Sequence, residues 1–319
     1  LAICMADFAY SAENEAFNTL NLSPLVQIYG LPSLDNALLD SQDSFEIKVE
    51  QQAANYHSRS FKTDESILLD GETWRTNVNL AYALTDSSIL SISTPFIRHS
   101  GGHMDSLIYN WHDTFGMPQG ERTKDNHDNI NIQYAVNNTQ IVDIHSTQTG
   151  VGDIRVKYSY KLPTLSQQWI LQSELKLPTG ETKNLTGSGN TDLSLGFMMD
   201  DSTSFKSQHI SIWAGGATTY LGDADGALSN NQENIIWSIR AGAGWRPVET
   251  IGLKAQLDTH SAIYNSITRE LGETALMLTL GGDYPFSPKY RLERFAVEDL
   301  ITESAPDITF SATFVARFQ

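Results

Sequence analysis

From Phe45 to the end of the chain, apolar and polar residues alternate with a period of two, the mark of strands with one apolar and one polar face. The last segment is the clearest. Ile308, Phe310, Ala312, Phe314, Ala316 and Phe318 share one face, opposite Asp307, Thr309, Ser311, Thr313 and Arg317. Ile251, Leu253, Ala255 and Leu257 likewise oppose Lys254, Gln256, Asp258 and His260. The alternation predicts about twelve strands, near 45–56, 73–84, 87–98, 150–162, 166–178, 189–200, 207–220, 233–246, 250–264, 273–284, 288–300 and 306–318. Such strands exceed the ~5–6 residues usual in soluble sheets and suffice for the ~9–11 of a tilted bilayer crossing. In the strand at 288–300, Arg294 and Phe295 fall out of phase, which predicts a bulge.

The connections alternate as well. Short turns (Thr85-Asp86, 162–164, 247–249, 285–288) exchange with longer polar loops (58–72, 99–149, 179–188, 221–232, 265–272). That layout, with aromatics such as Trp74, Tyr82, Trp169, Trp237, Trp245, Tyr284 and Phe318 towards strand ends, suits a membrane barrel with interfacial girdles. A β-sandwich also alternates, but mixed charges on one face with almost none opposite suit an aqueous lumen and a lipid exterior, and the strand-end aromatics and aromatic-rich last strand favour the barrel. The predicted fold is all-β: a single antiparallel transmembrane β-barrel of about twelve strands with one long structured loop.

Composition narrows the partners. A formal charge of −17 over 319 residues argues against nucleic acid, which requires a basic surface. The single Cys4 rules out an intramolecular disulfide framework, and no stretch is apolar for long enough to be a spanning helix. Residues 1–12 read as the end of an export signal, and 13–43 as a periplasmic or plug segment ahead of a barrel at 44–319. Leu25, Val26, Ile28, Tyr29 and Leu31 are too apolar for a solvated tail, so the segment is expected in the lumen or packed beneath it. The surplus acid, including Asp64-Glu65, Asp223 to Asp225 and Glu298-Asp299, is expected at the rim, where it is solvated or bridged by cations to lipopolysaccharide.

Several stretches are more specific: Ser23 to Pro32, Ser100 to Ser106, Trp111 to Pro118, Gly120-Glu121-Arg122 and Gly150 to Asp153. In that order they resemble the bacterial outer-membrane barrel family catalogued as domain of unknown function 3187. The resemblance implies an exported barrel and implies no reaction.

Residues 99–149 form the longest connection and hold His99, His103, His112, His127 and His145, five of the chain's 8 His. A short helix capped by Asp105 or Ser106 would end at Gly116, its apolar face seeking the barrel mouth. Asp105, Trp111, His112, Asp113 and Arg122 are the candidate ligand or gating residues. They could fix the loop's shape, contact a ligand, or, with His99 and His103, bind a metal; Gly101-Gly102 counts against the last, and no metal or cofactor is assigned. Arg155, Glu174, Arg240, Lys254, Asp258 and His260 are the candidate lumen-lining residues, among charges of both signs that could tie strands together or line a pore. Ser173 interrupts an apolar face, but no His is near it in sequence, and the motifs of hydrolases are missing, so no catalytic residue is assigned. The expected function is a narrow or gated outer-membrane channel for a small solute. The alternative is a structural or ligand-binding barrel without transport.

Overall fold

The structure is a computed structural model that describes residues 14–36, 39, 41–104, 129–163, 167–301 and 303–319. Among them, twelve antiparallel strands close into a barrel. In chain order these are β1 (Phe45–Phe61), β2 (Glu65–Thr85), β3 (Ser88–Ser100), β7 (Ile154–Leu162), β8 (Gln168–Leu177) and β9 (Asp192–Asp201). Then follow β10 (Ile210–Tyr220), β11 (Ile235–Val248), β12 (Ile251–His260), β13 (Ala275–Ser287), β14 (Tyr290–Asp299) and β15 (Ile308–Phe318). β15 pairs back onto β1, from Phe45↔Phe318 to Asn55↔Ile308, so the sheet has no free edge in the barrel wall. Two short strands, β4 (Asn131–Val136) and β5 (Thr139–Ile144), are added beyond the wall at the long-loop end, and β6 (Gln148–Val151) pairs with β3 at Phe96–His99, beside the stretch of β3 that β7 takes.

Alternation dictates the two faces. Val49, Leu80, Ile92, Leu171, Leu195, Phe197, Ile239, Leu253, Leu280 and Phe314 are exposed on the outside, while Glu50, Arg75, Arg155, Glu174, Arg240 and Asp258 are buried within. A large apolar outer surface is unfavourable in water and favourable in lipid. At the short-turn rim, Phe45 stacks on Phe318 at 4.7 Å, and Tyr284, Phe286, Tyr290 and Phe314 form a run of ring contacts at 5.8–6.5 Å. Trp74 and Trp237 sit nearer the opposite rim, giving two aromatic belts.

Two sequence expectations need correction. Residues 58–72 are not a polar loop: β1 and β2 continue as a hairpin to Phe61↔Ser66, well beyond the wall. Gly71, at φ +146°, is the corner where β2 leaves β3 and takes β4 as its neighbour, with Asp70 opposite Asn131. A Cβ there would meet the Ser100 carbonyl oxygen at 2.9 Å. The second correction concerns β14, which carries no bulge at Arg294. Its register against β15 is unbroken from Tyr290↔Ala316 to Glu298↔Ile308, and the irregularity against β13 lies at the hairpin, between Pro285 and Ser287. Phe295 breaks the polar face because it points inward onto an apolar partner, Phe17, with ring centroids 4.8 Å apart.

Candidate functional site

The lumen is filled by the chain itself. Residues 14–36 enter at the short-turn end, climb to an apex at 23–29 and return, forming an irregular hairpin inside the barrel. Asn14 Nδ2 donates to Ser211 Oγ at 2.8 Å near the short turns, and Asn21 Nδ2 to His260 Nε2 at 3.0 Å near the long loops. On the way back, Asn36 Nδ2 donates to Asp200 at 2.5 Å, again at the short-turn end. Ser23-Pro24 makes the apex: proline fixes φ at the second turn position, and the N–H groups of Val26 and Gln27 both donate to the Ser23 carbonyl at 2.9 Å.

A buried irregular segment must satisfy its backbone polar groups, and here wall side chains do so. The Gly30 N–H donates to Asp192 at 2.7 Å, and the Phe17 N–H to Gln256 at 2.9 Å. Arg155 donates to the carbonyls of Leu31 at 2.6 Å and Tyr29 at 2.9 Å, while keeping Glu174 at 3.1 Å. Arg240 donates to the Thr19 carbonyl at 3.0 Å and to that of Leu34, and its Nε holds Asp258 at 2.6 Å. Lys254 donates to the Glu15 carbonyl at 2.8 Å and pairs with Glu293. Gly30 is required by proximity: a Cβ would lie 2.7 Å from the Asp192 Cβ.

The six candidate lumen residues therefore all lie inside the barrel: Arg155, Arg240, Lys254 and His260 touch residues 14–36, and Asp258 bonds Arg240. The sixth, Glu174, bonds Arg155. Sequence reasoning missed Arg291 and Glu293, because the irregular alternation around Arg294 hid their inward phase. Arg291 grips Glu15 of the hairpin with two nitrogens, at 2.9 and 2.6 Å. Glu273, whose alternation with Leu276 and Leu278 would put it on the lumen face, is instead exposed in the loop before β13, beside Arg269. His209, which the period of two would also turn inward, occupies the exposed turn before β10 in the left-handed conformation.

At the long-loop end the hairpin meets an apolar cap. Leu25, Val26, Ile28, Tyr29 and Leu31 share one cluster with Tyr56, Ile67 and Leu69 of the β1–β2 extension and Ile132, Tyr134, Val142 and Ile144 of β4 and β5. Tyr264 donates to the Leu25 carbonyl at 3.0 Å and packs edge-on against Tyr29. Glu65, expected as a solvated rim acid, is buried and staples the cap. It accepts from Tyr134 Oη at 2.7 Å, Ser266 Oγ at 2.6 Å and the Ile267 N–H at 2.9 Å.

Among the described residues, a polar cavity of about 80 Å³ lies between hairpin and wall, bordered by Glu15, Asp35, Lys48, Glu50, Arg155, Lys157 and Arg291 among others. Of the long loop, Asp105, Trp111, His112, Asp113 and Arg122 lie outside the described residues, as do the expected helix and residues 1–12. His99 is buried, with Nδ1 against Thr73 Oγ1 and Nε2 against the Leu185 carbonyl, both at 3.0 Å, so neither nitrogen is spare for a metal. Ser173 faces outward between Tyr158 and Leu195, and neither can act as its base.

A profile of the family described as protein of unknown function, DUF3187, matches residues 3–318, so the chain belongs to that family. No curated protein sequence matches it. Among solved structures, an outer membrane channel from Pseudomonas putida F1 is similar with a TM-score of 0.59 at 15% identity, over 88% of this chain and 97% of that one. The NanC porin follows at 0.49 and 7% identity, over 86% and 99%. The toluene transporter TodX of P. putida stands at 0.41 and 11%, over 89% and 91%. The first of these likenesses places the fold among outer-membrane barrels.

Proposed function

We propose, from the premise that the chain belongs to DUF3187 and folds as a closed, filled barrel, that it is a gated outer-membrane channel for a small polar solute. Residues 14–36 are its plug. The observation that carries this reading is the kind of contact the plug makes in the barrel's middle and lower parts. It is held there by hydrogen bonds and ion pairs to a charged wall, which water or a polar solute can replace, rather than by a continuous apolar core. A lumen meant to stay shut could be packed with apolar side chains from the wall itself, as small barrels are. With the plug in place, the cavity of about 80 Å³ among the described residues holds a few waters. The short turns then face the periplasm, and the cap and long loops face outward, where lipopolysaccharide surrounds them.

A liposome-swelling assay tests the reading. Proteoliposomes carrying the protein without residues 14–36 should swell in small sugars and amino acids and exclude large oligosaccharides. The intact protein should swell them far more slowly. Equal impermeability of both, from protein that is folded by its heat-shifted gel mobility, would leave the non-transporting barrel as the better account.

A further inference from the structure

This inference rests on the channel reading and names the class of solute. The plug presents oxygen to wall bases almost everywhere it touches them. Arg155, Arg240 and Lys254 take its carbonyls, Arg246 takes Asn14 Oδ1 at 3.3 Å, and Lys157 takes the Ser33 carbonyl and the Asp35 carboxylate. The densest contact is at Glu15. Its carboxylate is held by Arg291 through two nitrogens, by Arg317, and by Lys48 at 3.4 Å. Paired guanidinium donors facing both carboxylate oxygens are the geometry that recognises a carboxylate in preference to a neutral oxygen.

The cradle belongs to the wall. Lys48 comes from β1, Arg291 from β14 and Arg317 from β15; Lys48 and Arg317 are also held by a wall acid, whereas the hydrogen bonds of Arg291 go to Glu15. Glu46 holds Lys48 at 3.0 Å and Arg317 at 2.6 Å, and Glu293 beside Arg291 is engaged by Lys254. With Arg246 and its partner Asp283 included, five wall bases stand against three wall acids, so the wall alone is positive and Glu15 moves it towards neutrality. Arg291 Nε is buried and has no hydrogen-bond partner among the described residues, a donor that Glu15 leaves unused. Glu15, Lys48 and Arg291 all border the open cavity.

We infer that Lys48, Arg291 and Arg317 form the carboxylate-binding site of the open channel, that Glu15 occupies it in the closed state as an internal substitute, and that the solute is a small organic acid. An entering carboxylate and Glu15 compete for one cradle, so the solute itself favours plug release.

The test is planar-bilayer recording of the full-length protein and its Glu15→Gln variant, with glutarate as the probe and pentane-1,5-diol as the uncharged control of the same length. Glu15→Gln should open more often, prefer anions in a salt gradient, and be blocked by glutarate but not by the diol. Adding Arg291→Gln should weaken that block by about tenfold or more. Glutarate block no better than the diol's, or unchanged without Arg291, would overturn the site while leaving the channel intact. If no form conducts, the channel reading falls and titration calorimetry of glutarate onto folded Glu15→Gln decides the site. Binding that vanishes with Arg291→Gln supports it, and no binding overturns it. Should Glu15→Gln misfold, Glu15→Asp keeps the charge but shortens the reach, and the same comparisons apply with weaker block.

Discussion

At the scale of single residues, the wall side chains act as partners for a foreign backbone, and that role sets what their loss costs. Arg155 joins Glu174 to two plug carbonyls and is 8% exposed. Arg155→Ala should destabilise the barrel by about 3–5 kcal/mol, because a buried carboxylate is left uncompensated. Urea unfolding in detergent would measure it, and the loss should exceed that of Glu174→Gln. Phe17 is fully buried against Phe295, with Lys254 Nζ 4.1 Å above its ring. Phe17→Ala should cost about 3–5 kcal/mol of plug docking. It should raise hydrogen exchange along 14–36 while leaving the strands protected, and uniform protection would contradict its anchoring role. From sequence, Arg155 and Arg240 were legible as inward charges because their strands alternate cleanly. Their targets were not, because a backbone carbonyl of a distant irregular segment leaves no trace in composition or period.

At the scale of elements, the strands were the legible part and the additions to them were not. Twelve alternating segments mark the wall, since lipid outside and water or polar plug inside enforce a strict period of two. The β1–β2 extension escaped notice because beyond Gly71 its inward face, with Ile67 and Leu69, serves a cap and not the membrane. Glu65 looked like a rim acid for the same reason: its partners Tyr134, Ser266 and Ile267 come from two other elements. Glu65→Ala removes about 1 kcal/mol for each of these bonds and should speed exchange across β4 and β5. Glu270, in the helical turn before β13, gives the cap a pH dependence. Burial holds its carboxyl above the usual carboxylate range and Glu303 adds to the rise, while Lys62 and Arg269 oppose it. An acid raised in the folded state favours that state while protonated, so the packed loop is favoured at low pH and weakens as pH rises through the raised value. Channel openings should therefore become more frequent from acid towards neutral and alkaline pH, and Glu270→Gln should flatten the profile. An unchanged profile in that variant would remove Glu270 from the account.

At the scale of the whole molecule, the barrel is a charged tube built around an internal backbone segment, with an apolar cap above and an ionic cluster at Glu15 below. This division explains why the net charge told little about the lumen: bases and acids inside nearly balance, each already committed to a partner. It also explains the apolar run from Leu25 to Leu31, which packs in the largest apolar cluster, while Phe17 and Leu34 lie in smaller ones further down. The direct test is single-channel conductance in planar bilayers of the intact protein against the protein lacking residues 14–36. Brief, small steps from the first and large, long-lived steps from the second are the result predicted here. The same conductance from both, or silence from a shortened protein that still inserts and resists denaturation, would contradict the plug.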